Sequence, residues 1–192
     1  MTDNESKESK KIRYAKTVLR NSLIELMQSR PIQDISVTEI CNKAEISRTT
    51  FYTHYRNQYV LLRQLEDETL SSVEDMLKKY DKRSIRDIQQ MLEGILKYIA
   101  DNSHSIQTLL SENGDINFQK RFLRRFTDTE KMREYFTEMT DDAEKAEYHL
   151  VFVVSGSIAL LQRWLKNNMN IPIPELTAIL IEFMNERTKR FS

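Results

Sequence analysis

Glycine and proline are scarce, three of each in 192 residues. A chain with so few turn formers has little use for tight hairpins. Its abundant Leu, Ile, Glu, Lys, Arg, Gln and Met favour helices, so an all-α fold is expected. The single cysteine, Cys41, excludes an intramolecular disulfide. Neither an apolar run of about 18 residues nor a signal-peptide core occurs, so no membrane span is expected and the cytoplasm is the expected compartment. Only three histidines are present, His54, His104 and His149, and none stands at metal-ligand spacing from another or from Cys41. A metal site is therefore not expected. Glycine-rich phosphate loops and activated-nucleophile patterns are also absent, so no catalytic residue and no cofactor is assigned.

What is present is enough for a core, at 40% hydrophobic content, and a charge distribution that is uneven. Formal net charge is zero, yet Lys10 to Arg56 holds nine Lys/Arg against four Asp/Glu, leaving that segment at +5 and the remainder at −5. A basic N-terminal module joined to an acidic body points to a polyanion partner for the former, although a solvated helix face has the same composition.

Apolar periodicity divides the chain into about nine helices. Residues 1–9 read as a polar tail. A first helix runs from Lys10 to Ser29, where Pro31 stops it. Ser36-Val37-Thr38-Glu39 is a capping box, opening a second helix over Val37 to Ala44. Ser47 is an N-cap for a third, from Arg48 to about Tyr55. A fourth, Gln58 to Tyr80, starts the second domain. Ser84 caps a fifth reaching about Asn102, and a short one spans His104 to Leu110 before the breaker pair Asn113-Gly114. Ile116 to Glu138 reads as one interrupted helix. Asp141 and Asp142 open a long helix to Asn168, and Pro174 opens the last, to about Arg190. The expected domains are a helix-turn-helix over 10–57 and a helical body over 58–192.

The densest signal lies in residues 36–62. Ile40, Ala44, Ile46, Phe51 and Tyr55 are spaced to form the small core of a helix-turn-helix, which leaves Arg48, Thr49, Thr50, Tyr52, Thr53 and His54 on other faces. An exposed Arg can bond a guanine O6/N7 pair, and Thr offers a hydroxyl or a methyl to a base. An ordinary helical hairpin with a polar face fits the same spacing.

The order of a capped helix, Ala-x-Ile-Ser, then Arg-Thr-Thr-Phe-Tyr-x-His-Tyr and a downstream Leu-Leu resembles the DNA-binding domain of the TetR/AcrR family of transcriptional regulators over about Lys10 to Leu65. The resemblance implies base contacts from Arg48, Thr49 and Thr53, and phosphate contacts from Thr38, Ser47, Thr50, Tyr52, His54 and Gln58. Two departures weaken it: Glu45 stands where the turn often has glycine, and Gln58 where a lysine often follows the recognition helix. The resemblance further implies a homodimer on double-stranded DNA, most simply a repressor, released from a pseudo-palindromic operator by an effector. A coactivator that receives its signal from a partner protein is the alternative, so the effector is either a small molecule or a protein.

In the C-terminal half, Gly156-Ser157-Ile158-Ala159-Leu160-Leu161-Gln162-Arg163-Trp164-Leu165 resembles a subgroup of the family that includes the activator of dihydroxyacetone kinase operons. That resemblance implies a four-helix dimer interface, carried by Val151, Val154, Ile158, Leu161 and Leu165 and by Leu176, Ile179, Leu180 and Phe183. A helix buried within one subunit would carry the same stripe. Phe118, Phe122, Phe126, Tyr135 and Trp164 form an aromatic set that either lines a ligand pocket or fills the core.

Overall fold

The structure, a computed structural model, describes residues 2–79, 85–128, 130–138 and 142–185. Among these it holds ten α-helices and no strand: α1 (Thr2–Met27), α2 (Val37–Ala44), α3 (Arg48–His54), α4 (Gln58–Lys79), α5 (Ile85–Asp101), α6 (Ser103–Leu109), α7 (Ile116–Thr127), α8 (Glu130–Glu138), α9 (Ala143–Lys166) and α10 (Ile173–Asn185). The all-α expectation is met, with two differences. Helix α1 begins at Thr2, in what reads as a tail; elongation from an already packed segment costs little once the first turns exist. The stretch expected as one interrupted helix is two, since α7 ends at Thr127 and α8 starts at Glu130. The expected helix ends at Tyr80, Ser84, Asp141 and Arg190 lie outside the described residues.

Contacts divide the chain into two units: residues 1–69 with 108–115, and residues 70–107 with 116–192. The division thus falls inside α4 rather than at its start, and a segment of the second half of the chain packs with the first.

In the first unit, Leu19, Leu23, Ile24 and Met27 of α1 are buried together with Ile40, Phe51, Tyr55 and Leu61. Each short helix is closed at its N-terminus by a side chain. Ser36 accepts from Glu39 N at 3.2 Å while its own N–H donates to Glu39 Oε2 at 2.9 Å, the reciprocal capping box read from the sequence. Asn57 Oδ1 accepts from Val60 N at 3.0 Å at the start of α4, a cap the sequence reading passed over. Asn113 joins the returning segment to α1, donating from Nδ2 to Gln28 O at 3.2 Å.

In the second unit, Phe136, Ala146, Leu150, Val153 and Val154 form a core with Ile88, Met132 and Met184. Helix α9 packs on α7, α8 and α10, and α10 packs on α5. Asp142 caps α9 by accepting from Glu144 N and Lys145 N at 3.0 and 3.3 Å. At the other end the indole of Trp164 donates to Ile171 O at 2.9 Å, fastening α9 to the turn before α10. That turn holds two consecutive left-handed residues, Asn168 and Met169.

Gly114 closes the turn after α6, its N–H donating to Ser111 O at 3.0 Å. A Cβ there would lie 2.1 Å from the carbonyl oxygen of Leu109, a backbone atom that cannot swing aside. Gly114→Ala is expected to destabilise the first unit by about 1–3 kcal/mol, the usual range for forced overpacking. The check is a lowered midpoint in urea unfolding with unchanged slope, and a midpoint equal to the parent's would contradict it.

Candidate nucleic-acid interface

A seven-residue helix cannot persist alone in water. Helix α3 is held by three local devices. Ser47, extended at φ −65° and ψ 147°, accepts from Thr50 N at 3.1 Å and lies 2.8 Å from the Thr50 hydroxyl. Phe51 is fully buried, its ring 5.6 Å from Tyr52 and 5.7 Å from Tyr55. Tyr55, buried at the C-cap, returns its N–H to Phe51 O at 2.9 Å, and burial pushes its phenol pKa up. Ala44 and Ile46 are half-buried, so the small core expected from spacing centres on Ile40, Phe51 and Tyr55.

With those rings turned inward, the remaining side chains of α3 face out. Arg48, Thr49, Tyr52 and Thr53 are exposed, as is Ser47; Thr50, His54 and Gln58 are half-buried, and Thr38 is exposed on the first turn of α2. Thr53 donates its hydroxyl to Thr49 O at 3.0 Å, so its methyl and oxygen lone pairs are what remain for a partner. Arg48 is exposed, and its planar guanidinium is suited to a bidentate contact.

The turn between α2 and α3 is set by Glu45, which adopts φ 55° and ψ 34°. Left-handed backbone costs a residue bearing a Cβ about 1 kcal/mol relative to glycine. Bonds from Glu45 N to Asn42 O at 3.3 Å and from Ile46 N to Cys41 O at 3.0 Å fix that conformation. Behind the pair, the Arg20 guanidinium of α1 bonds Glu68 of α4, which also accepts from Gln64 at 3.0 Å. Burial opposes the Arg20 charge, but the Glu68 bond and charge, with the neighbouring Tyr55 phenol, raise its pKa. This clamp was not read from the sequence, because its members lie 48 residues apart.

The aromatic set of the second unit is turned inward. Phe118, Phe122 and Trp164 are buried, and Phe126 and Tyr135 are half-buried against the core. Phe118, Phe122 and Phe126 stack along one face of α7 with ring centres 5.9 and 5.5 Å apart. The stripe expected at a dimer interface also divides. Val154, Leu161, Leu165, Leu176 and Leu180 are buried in the chain's own core and Ile158 and Ile179 are half-buried, whereas Val151 and Phe183 are exposed. A helix covered by α7, α8 and α10 uses most of its apolar residues internally. Among the described residues no cluster of three metal-ligating side chains occurs, and no helix is long and apolar enough to cross a membrane.

A capped pair of short helices with an outward polar face, followed by a helical body, is the arrangement found in helix-turn-helix transcription regulators. Residues 86–186 match the family described as the C-terminal region of transcriptional regulators, TetR type, and the chain belongs to the TetR/AcrR family. Solved structures of similar fold include a TetR transcriptional regulator from Streptococcus agalactiae 2603V, at 23% identity and TM-score 0.64 over 94% of this chain and 98% of that one. The dihydroxyacetone kinase operon activator DhaS is similar at 19% identity and TM-score 0.57, over 88% and 93% of the two chains. The transcriptional regulator FadR from Bacillus subtilis, in complex with stearoyl-CoA, is similar at 13% identity and TM-score 0.60, over 88% and 96%. No curated protein sequence matches the chain.

Arg30 and the Ser36 backbone and hydroxyl all engage the Glu39 carboxylate, and its pKa falls from 4.5 to about 2, owing first to the Ser36 backbone bond, then to its hydroxyl and to Arg30. A folded-state pKa below the unfolded one contributes stability that is full above the unfolded value and lost as pH falls through the folded one. The helix pair should therefore lose stability between about pH 4.5 and 2. Glu39→Gln should flatten that part of the acid-unfolding curve, followed by circular dichroism. An unaltered acid limb would show that the capping carboxylate is not coupled to folding.

Proposed function

We propose that the protein acts as a homodimeric repressor, released from a pseudo-palindromic operator by an effector bound in its helical body, and that it works in the cytoplasm without enzymatic activity. The observation that carries this reading is the outward face of α3. Arg48, Thr49 and Thr53 are exposed while Phe51 and Tyr55 are locked inside, which suits major-groove readout of bases. Ser47, Thr38, Thr50, Tyr52, His54 and Gln58 surround that face with donors suited to phosphates. The +5 charge of Lys10 to Arg56 supplies the long-range attraction. Gln58 brings no charge to the backbone contact, and this should lessen the salt dependence relative to a lysine.

A second copy is the natural occupant of the outer face of α9. Tyr148 and Phe152 of α9 are 71% and 73% exposed, one turn apart, and Val151 of the same helix and Phe183 of α10 are each 45% exposed. Singly exposed apolar residues are ordinary, but four large ones on adjoining helices form a patch of the kind that marks an interface. Gly156 supports the same reading: a Cβ there would meet nothing within 4 Å inside the chain, so its missing side chain serves no internal packing. A facing helix could approach closely there. Two recognition helices carried by such a dimer require half-sites separated by one helical turn or a multiple, roughly 34–36 Å per turn. FadR, solved with stearoyl-CoA, illustrates ligand binding within a similar fold.

Arg48→Ala is expected to cost about 1–3 kcal/mol in operator binding and to relax preference at one base pair, measured by fluorescence anisotropy on a panel of single-substitution sites. Uniform weakening across the panel would instead assign Arg48 to the phosphate backbone. Binding that emerges only when a partner protein is added would replace the repressor reading by the coactivator one.

Phe152→Asp is expected to yield monomers in sedimentation equilibrium, and with them weaker operator binding, while the helical circular dichroism is retained. A stable dimer in that variant would move the interface to another face.

A further inference from the structure

Helix α7 has a second face. Its residues Ile116–Thr127 include Lys120, Arg121, Arg124 and Arg125 and not one carboxylate, in a body that is net acidic. While its phenylalanines turn inward, Arg121, Arg124 and Arg125 line a groove of about 530 Å³ together with the last turns of α4 and the start of α8. That volume is within the range of small-molecule sites, but the lining is not the usual apolar one. Among the described residues that line it, Leu77 is the sole apolar one. We propose that this groove binds a small polyanion, one bearing phosphate or several carboxylates, as the charged end of the effector.

The chain itself displays the chemistry. Within the groove the single carboxylate of Glu74 bonds Lys78 Nζ and Arg125 Nη1, each at 2.6 Å, so cations from two helices already converge on one anionic group. Arg121 is oriented by the Phe118 ring, its guanidinium carbon 6.0 Å from the ring centre. Arg124 is exposed at the groove's edge. Helix-dipole compensation explains a cation at a helix end. It does not account for the absence of any carboxylate within Ile116–Thr127. Asp128 and Glu130 also border the groove and limit its excess positive charge. The ligand must therefore bring several anionic oxygens that match guanidinium forks rather than a lone charge.

The inference deepens the effector reading above and rests on it for its regulatory consequence, but the site is testable apart from DNA. Isothermal titration calorimetry on the full chain, free of DNA and at low salt, uses pyrophosphate and citrate as probes. We expect one saturable site per chain, with a preference for pyrophosphate identifying a phosphate-bearing ligand and a preference for citrate a carboxylate one. Arg121→Ala with Arg124→Ala should weaken binding by about tenfold or more, as expected on losing charge-assisted forked bonds. Because Arg121 also packs on Phe118, the exposed substitution Arg124→Ala alone carries the result if the double variant unfolds. Glu74→Gln should tighten binding several-fold, since it removes the internal competitor for Lys78 and Arg125, an effect that a purely structural ion cluster would not produce. Lys97→Ala, the same charge change at an exposed site on α5, and Arg48→Ala, in the DNA-binding face, should leave affinity within about twofold. No saturable heat with either anion, or binding that survives Arg124→Ala and vanishes in Arg48→Ala, overturns the proposal. Neither result bears on whether the operator is bound, which the anisotropy experiment decides separately.

Discussion

Burial of the Phe51 ring is the constraint on which the rest depends. Helix α3 has seven residues, too few to form alone, and one fully buried aromatic anchors it to the first unit. Burying a phenylalanine side chain contributes on the order of 1.5–3 kcal/mol, more than the Ser47 cap at about 1. Helical geometry does the rest. Once Phe51 and Tyr55, four residues apart, point inward, Arg48, Thr49, Tyr52 and Thr53 are forced to other faces and remain exposed. The recognition surface is thus a by-product of how the helix is fastened.

A surface defined in that way needs its neighbour held at a fixed angle, and the chain accepts strain to achieve it. Glu45 takes a left-handed conformation that glycine would adopt freely. The two backbone bonds that close the turn and the capping box on the far side of α2 hold it there. A carboxylate at that turn also places negative charge beside a face suited to phosphates. Glu45 lies three residues before Arg48, so the two side chains bring opposite charges to the same end of α3.

Much of this was legible beforehand because the determining interactions are local. Ser36 and Glu39 are three residues apart, Ser47 and Thr50 likewise, and Asn113-Gly114 announces its own turn. What was not legible depends on which neighbour covers a face. The stripe Val151, Val154, Ile158, Leu161 and Leu165 has one periodicity whether a partner copy or the chain's own α7, α8 and α10 lies against it. The structure divides it, burying Val154, Leu161 and Leu165 and leaving Val151 out with Tyr148 and Phe152. The pair Arg20 and Glu68 was equally invisible, because an ion pair between distant positions leaves no pattern in the chain.

Helix α7 shows the same ambiguity resolved in the opposite direction. Phe118, Phe122 and Phe126 suit a ligand pocket or a core equally well by spacing, and in the fold their rings lie along one inward face of the helix. The informative residues were those between them. A core can be filled by many combinations of Leu, Ile and Phe, so rings facing it say little about purpose. Three arginines gathered on one helix repel one another and call for anionic groups nearby. Glu74 meets part of that need from α4, joining α4 and α7 through Arg125. An anion entering beside it would compete for the same cations and so alter the tie between those two helices, which gives the ligand a differential interaction with two arrangements of the body, the requirement for any switch.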